Sequence, residues 1–502
     1  MGDLIDHPDA VGPSLGSQVR KGLAWSVAGG IMLRSGNLLI GIVLARLLAP
    51  QVFGVFAVAL TVMSVLMTLA DLGLTADLVR SDDFERRAPT VSTLSLATGA
   101  ILTVVMIALS GSIARGMGAP SATPVIQVLS LNLLLSGLGV EPNAMLLRSF
   151  RQKTIFHTNF SAFIVSNTAL IVLVLMGWGP MALAVTRLLA HAITTALQFL
   201  LTRTTLRLGF DREIARSALR FGIPVAGVNL IAALMLGLDT IVIARVLGEV
   251  ALGFYVLAFN ISNWPTTVIG NAIANVALPA FSRTYADRLR ETFYNSVSLT
   301  WSAALFIGVA LVALADPLIK FVYGDTWLPS ANVLGILGLF GALKVVFDLT
   351  AQYLFSQGSS RSVMWLNLGS MAALAPAMII GAEMYGIDGG ATARLLVGVV
   401  VTLPLVLLSL RAVPGSGRML FKAIWPPLIA AVPAGLLGRL IATYLGTPIL
   451  ALVVGGLAMT GTYYLFLRRR IMPQLAAVRA TSDTRHDGRA VGADPVPNEI
   501  PS

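Results

Sequence analysis

Arg34 stands inside an apolar run that extends from about residue 23 to residue 45. A charge at the centre of a membrane helix costs about 2.5–3.5 kcal/mol unless it finds a partner or water. On a helix Arg34 shares a face with Ser26, Gly30, Asn37 and Gly41. Its guanidinium offers a fork of donors that suits a diphosphate; an ion pair with Asp239 would neutralise it equally well. A second stripe, Asn260, Asn263, Thr267, Asn271 and Asn275, recurs at helical spacing in another apolar run. Its amides carry both donors and acceptors, which match sugar hydroxyls along a wet pathway; polar glue between helices, worth roughly 0.6 kcal/mol per contact, uses the same groups. Thr61, Ser64 and Thr68 form a shorter stripe, and Arg187, His191, Thr194 or Thr195, and Gln198 form another. His191 titrates near neutrality and can couple proton movement to transport, or serve as a packed hydrogen-bonding residue. Arg394 has no opposite charge on its face beyond Asp388 and is a second candidate anion contact. Lys344 and Asp348, four residues apart, form a self-neutralising structural pair. With no cysteine, disulfides, thiol catalysis and Cys-ligated metals are excluded. No pattern asks for a metal or a cofactor.

The elements that position these residues follow from composition. Of 502 residues, 56% are hydrophobic and 12% charged, with mean hydropathy +0.82. That is an all-α polytopic membrane protein. About fourteen runs of spanning length are present. The first six cover 23–45, 53–76, 90–113, 122–140, 159–178 and 180–202. The next six cover 220–245, 252–278, 295–316, 330–354, 363–384 and 388–411, with a final pair at 424–443 and 448–467. Twelve spans result if the breaks near Pro120–Pro124 and Gly177–Pro180 are kinks rather than turns. Asp71, Asp77, Glu141, Asp316 and Glu383 fall near predicted helix ends, where snorkelling or solvent makes a charge cheap.

Basic residues alternate between the joints as short cytoplasmic loops require. Arg80, Arg86 and Arg87, then Arg148, Arg151 and Lys153, then Arg203, Arg207, Arg212, Arg216 and Arg220 fill one set; the other holds only Arg46, Arg115, Arg245 and Lys320. Both termini are therefore predicted cytoplasmic, and the net charge of +11 faces lipid headgroups rather than nucleic acid. The domain reading is a flexible segment over 1–19, a six-helix lobe over 20–207, a second over 208–412, an extra helix pair over 413–470 and a disordered tail over 471–502. The first apolar segment is long enough to span and is read as retained rather than cleaved.

The phrase IVLARLLAPQVFGVFAVALTV at 42–62 returns as IVIARVLGEVALGFYVLAFNI at 241–261. Apolar matches are cheap in membrane sequences, but Arg46 aligned with Arg245 and Gly54 aligned with Gly253 are not. Both pairs fall at the turn between two helices, where each half needs the same charge anchor and the same tight joint; Arg46 and Arg245, with Asp239 and the Lys344–Asp348 pair, are the candidate structural or gate residues. An even number of helices separates the copies, so the halves run parallel about an axis along the membrane normal, an arrangement that supports rocking and alternating access.

On ARLLAPQVFGVFAVA with LADLGLTADLVR, and LDTIVIARVLGEVALGFYVLA with VALPAFSR, residues 20 to about 467 resemble the polysaccharide-exporting flippases. Their superfamily also holds the multidrug and toxin extruders and the peptidoglycan-precursor flippase. The resemblance implies no enzyme. It implies a multi-pass protein of the bacterial inner membrane that moves a polyprenyl-diphosphate-linked oligosaccharide to the outer leaflet, driven by membrane potential or an ion gradient. Its partners would be that lipid, membrane lipids and polysaccharide polymerase or assembly proteins. Arg34 then becomes the first candidate for the diphosphate, Asn37, Arg187, His191, the asparagine stripe and Arg394 complete the cavity, and the final helix pair forms a groove for the lipid tail. Two alternatives stay open. A cation-coupled exporter of small amphipathic molecules favours embedded acids, whereas arginines and amides predominate here; a non-catalytic component of an assembly complex has no signature of its own. A membrane glycosyltransferase would need acidic or histidine constellations and a large exported loop, and neither is present.

Overall fold

The computed structural model describes the backbone of residues 15–283, 286–410 and 416–487, and every regular element among them is helical. In chain order these are α1 (Leu15–Leu47), α2 (Pro50–Asp71), α3 (Leu74–Arg80), α4 (Phe84–Gly116), α5 (Thr123–Arg148), α6 (Gln152–Leu175), α7 (Pro180–Thr202) and α8 (Arg212–Arg283). Then come α9 (Ala286–Ala313), α10 (Ala315–Val322), α11 (Ser330–Ser356), α12 (Ser360–Val397), α13 (Leu403–Ser409), α14 (Ser416–Tyr444) and α15 (Pro448–Asp487).

Eleven helices among the described residues are long and apolar enough to cross a membrane. Two of these spans, Arg212–Thr267 with 56 residues and Arg361–Ser409 with 49, far exceed the roughly 20 that a bilayer requires. Each is broken where the sequence reading ends one span and starts the next. Gly248 has φ 83° and ψ −179°, and Gly386 has φ 61°, conformations that only glycine adopts cheaply. Large apolar side chains face outward: Ile101 and Val104 on α4, Leu236 on α8 and Leu457 on α15 are all exposed. That inversion suits lipid as solvent. Helix α15 continues to Asp487, into the stretch from 471 that composition reads as a tail; residues 1–14 and 488–502, and the side chains of Asn271 and Asn275, lie outside the described residues.

The chain forms two compact units, one from residues up to Leu257 with Met378–Gly390, the other from Ala258–Ala377 and from Ala391 onward. In the first, α4 lies on α5 through glycines: a Cβ at Gly99 would sit 3.1 Å from the carbonyl carbon of Leu133, and one at Gly137 would sit 2.9 Å from Cα of Leu96. Between membrane helices the lipid supplies no hydrophobic drive, so close van der Waals approach over small residues holds the pair.

The same device joins the two copies of the repeated phrase. Gly54 on α2 abuts the backbone of Glu249 and Gly253, and Gly253 on α8 abuts the backbone of Pro50. The repeat-related glycines therefore cross each other, each giving the other's helix room. Arg245 donates to the carbonyls of Gly116 at 2.8 Å and Arg115 at 3.4 Å, capping the negative end of α4. Glu249 accepts hydrogen bonds from Gln51 and Ser121. These contacts bind α8, as far as Leu257, to α2 and α4 within the first unit.

The second unit is built on α9, α11, α14 and α15 around Trp301, Leu349, Tyr353, Ala430 and Tyr463. Phe293 and Tyr353 lie with ring centroids 4.3 Å apart. Trp301 Nε1 donates to the Ile424 carbonyl at 3.1 Å, and the Tyr463 hydroxyl donates to the Ser302 carbonyl at 2.8 Å, so the final helix pair is fastened by aromatic groups whose polar tips are satisfied.

Candidate functional site

Inside the first unit, α1, α2, α5, α6 and α7 line an open cavity of about 780 Å³. The helices are apolar on their lipid faces, so their few polar positions collect here. Asn37 comes from α1, Ser64 from α2, Asn132 from α5, Asn159 and Asn167 from α6, and Arg187 and His191 from α7. Leu44, Phe56, Met63, Leu129 and Phe163 supply apolar walls. No carboxylate lines it among the described residues.

The polar groups are held at defined orientations. His191 Nδ1 donates to Asn132 Oδ1 at 3.1 Å, while Asn132 Nδ2 donates to the Leu129 carbonyl at 3.0 Å. With the proton on Nδ1, a neutral ring keeps Nε2 as an acceptor. Asn167 Nδ2 donates to the Phe163 carbonyl at 2.8 Å. Ser64, Thr186 and Thr194 donate back to their own helices at 2.8, 2.7 and 2.9 Å, leaving oxygen lone pairs as acceptors. The cavity thus combines acceptors, amide donors and one guanidinium, a mixture able to hydrogen-bond hydroxyl groups.

Of the residues singled out from sequence, Asn37, Ser64, Arg187, His191 and Thr194 are brought together in this cavity. Thr195 and Gln198, from the same stripe, are buried instead against Gly139 of α5. Arg34 is exposed and is not among the lining residues. The others belong to the second unit or to packing. Asn260 is exposed, and Asn263 accepts from Thr266 at Oδ1, 3.3 Å, and from Thr267 at its carbonyl, 2.7 Å. The Arg394 guanidinium lies over the rings of Phe259 and Phe340, 5.4 and 4.7 Å from their centroids. Lys344 Nζ lies 2.6 Å from Asp348 Oδ2, the pair implied by their spacing. Asp239 is buried and accepts from the Tyr255 hydroxyl at 2.9 Å; Arg46 is exposed.

The acids expected to be cheap through solvent contact differ among themselves. Asp77 keeps only 4% of its side-chain surface and pairs with Arg87 at 2.6 Å, and buried Glu141 accepts from Ser92 at 3.2 Å. Asp316 pairs with Arg439. Burial of Asp77 and Glu141 is made by α3, α4 and α5 folding over one another, which helix-end position does not reveal. Asn132 on α5, and Asn159 and Asn167 on α6, stand out less for a related reason: they form no run of polar residues at helical spacing, and only the packing of α5 and α6 brings them to one cavity. An asparagine in mid-span was the signal available.

The sequence profile of the family described as "Polysaccharide biosynthesis protein" matches residues 43–332. The chain is 26% identical over 430 residues to the lipopolysaccharide biosynthesis protein WzxC of Escherichia coli (strain K12), covering 84% of this chain and 87% of that one. It is 25% identical over 304 residues to the teichuronic acid biosynthesis protein TuaB of Bacillus subtilis (strain 168), covering 60% and 63%. Among solved structures, the lipid II flippase MurJ in an inward closed conformation matches with a TM-score of 0.71 over 89% of this chain and 100% of that one; at 14% identity, the likeness is one of fold.

Proposed function

The chain belongs to the polysaccharide biosynthesis protein family, and from that premise we propose that it is an alternating-access flippase for a polyprenyl-diphosphate-linked oligosaccharide. In this reading it has fourteen spans with both termini cytoplasmic, lies in the bacterial inner membrane, and moves its substrate from the cytoplasmic to the outer leaflet for surface polysaccharide assembly.

The observation that carries the reading is the cavity of about 780 Å³ within a membrane-spanning bundle, lined by amides, hydroxyls, Arg187 and His191 and by no described carboxylate. Placing so many polar groups within the span of a bilayer is costly unless water or a polar ligand satisfies them. Small cationic drugs would be held by embedded acids, which this cavity lacks. Asn37, Asn132, Asn159, Asn167 and His191 are assigned to sugar hydroxyls and Arg187 to an anionic group. The exposed Arg34, the stripe from Asn260 to Asn275, and Arg394 are assigned to the remainder of the pathway.

The test is leaflet accessibility of polyprenyl-linked oligosaccharide in cells depleted of the protein. Cytoplasmic accumulation relieved by wild type, and not by Arg187→Ala or Arg34→Ala at equal abundance, is the expected result. Absence of accumulated lipid-linked sugar on depletion would refute the flippase reading.

A further inference from the structure

A separate hollow of about 370 Å³ lies in the first unit where α3 meets α8, lined by Arg80, Glu213, Arg216, Ser217, Arg220 and Phe221. Its walls are set by a tight joint. Leu72 and Gly73 take φ 44° and 65° in succession, turning the chain sharply between α2 and α3. Gly222 presses against that turn so closely that a Cβ there would lie 3.1 Å from the carbonyl carbon of Leu72. This carries Arg80, the last residue of α3, to 4.3 Å above the Phe221 ring. Arg216 and Arg220 reach the same hollow from successive turns of α8.

Charge accounting separates these arginines from their neighbours. Arg86, Arg87 and Arg207 have carboxylate partners, Asp211 at 3.5 Å, Asp77 at 2.6 Å and Glu85 at 3.0 Å. Arg80, Arg216 and Arg220 have none among the described residues, and Glu213 is the acid that lines the hollow with them. Three guanidinium groups against one carboxylate leave two positive charges, with Arg216 and Arg220 repelling each other a turn apart. Guanidinium forks match phosphate oxygens bidentately. A diphosphate diester carries two negative charges and balances the hollow; a simple phosphodiester carries one. The basic-loop pattern assigns this face to the cytoplasm, the side on which a lipid-linked substrate is presented.

We propose that the Arg80–Arg216–Arg220 hollow binds the diphosphate headgroup of a polyprenyl lipid at the cytoplasmic face, as a loading site distinct from the α1–α7 cavity. The biological identity of the ligand rests on the flippase reading; the binding itself is measurable without transport.

The experiment uses the full chain in phosphatidylcholine nanodiscs, with undecaprenyl diphosphate carrying one sugar, a diphosphate diester, and phosphatidylglycerol as separate probes. Affinities are read by native mass spectrometry for wild type, the triple variant Arg80→Gln/Arg216→Gln/Arg220→Gln, and Arg151→Gln, an exposed arginine outside the hollow. The expected result is at least a tenfold loss of undecaprenyl diphosphate binding in the triple variant, none in Arg151→Gln, and less than twofold displacement by equimolar phosphatidylglycerol. Undiminished binding by the triple variant overturns the site, and full displacement by phosphatidylglycerol overturns the diphosphate assignment in favour of a general anionic-lipid site. If the triple variant melts earlier than wild type, single Arg216→Gln and Arg220→Gln variants take its place, each expected to lose about threefold and overturning the site if both bind as wild type. The readings fail separately: no lipid accumulation in depleted cells sinks the transport reading alone, and arginine-independent binding with flipping intact sinks this site alone.

Discussion

Substituting Gly54 by alanine is the most direct way to probe the crossing of α2 and α8. The added Cβ would lie 2.7 Å from the carbonyl carbon of Glu249 and 3.1 Å from the Gly253 nitrogen, and closer still to the Glu249 carbonyl oxygen. Carbon atoms in contact settle at about 3.5–4.0 Å, so the two helices must separate by roughly 1 Å. Both obstructing groups are backbone, which no side-chain rotation can clear. Overpacking of this kind costs about 1–3 kcal/mol, and a rigid obstruction belongs at the upper end. Three kcal/mol is more than a hundredfold in an unfolding equilibrium. Gly253→Ala meets the carbonyl carbon of Pro50 at 2.6 Å and its Cα at 3.1 Å, and carries a similar cost. One separation of the helices makes room for both methyl groups, so the double variant should cost distinctly less than the sum of the singles. Equilibrium unfolding of the four proteins in detergent micelles measures the cycle. Single variants within 0.5 kcal/mol of wild type, or strict additivity in the double, would refute the crossing as described.

Arg87→Ala strands the nearly buried Asp77 carboxylate and should destabilise by about 3–5 kcal/mol, whereas removing both charges with Asp77→Leu and Arg87→Met should cost far less; unfolding midpoints decide. In the cavity, His191→Ala should leave Asn132 Oδ1 without its 3.1 Å donor and, on the proposed flippase reading, weaken transport while His191→Asn, which restores a donor, recovers part of it; full transport by the alanine variant would remove the residue from the proposed pathway. Asp211, at the start of α8, accepts from the amides of Ile214 and Glu213, and these bonds, with the Arg86 guanidinium adding a smaller share, hold its carboxyl below the usual aspartate range. Because the unfolded chain then binds the proton more readily, this group contributes stability above the ordinary pKa of about 3.9, and the contribution is lost as pH falls through the lower folded value. Asp211→Asn should therefore flatten the fall of stability on acidification below about pH 4, a slope followed by unfolding at stepped pH.

The amino-acid sequence by itself determined the all-helical membrane class, and it displays a phrase repeated at 42 and 241, because these depend on local quantities: the length of an apolar run and the identity of neighbouring residues. It also picked out Asn37, Arg187 and His191, since a polar group in a bilayer is conspicuous wherever it sits. What the repeat was for lay beyond it. Gly54 and Gly253 read as matched turn residues, and only the tertiary structure shows them crossing face to face. Likewise Arg34 looked stronger than Asn132, Asn159 or Asn167, yet the packing of α5 and α6 puts those three asparagines on the cavity and leaves Arg34 off it. Periodicity along one helix fixes which residues share a face, but not which neighbour, lipid or cavity that face meets. That choice is made by close approaches over small residues on helices far apart in the chain.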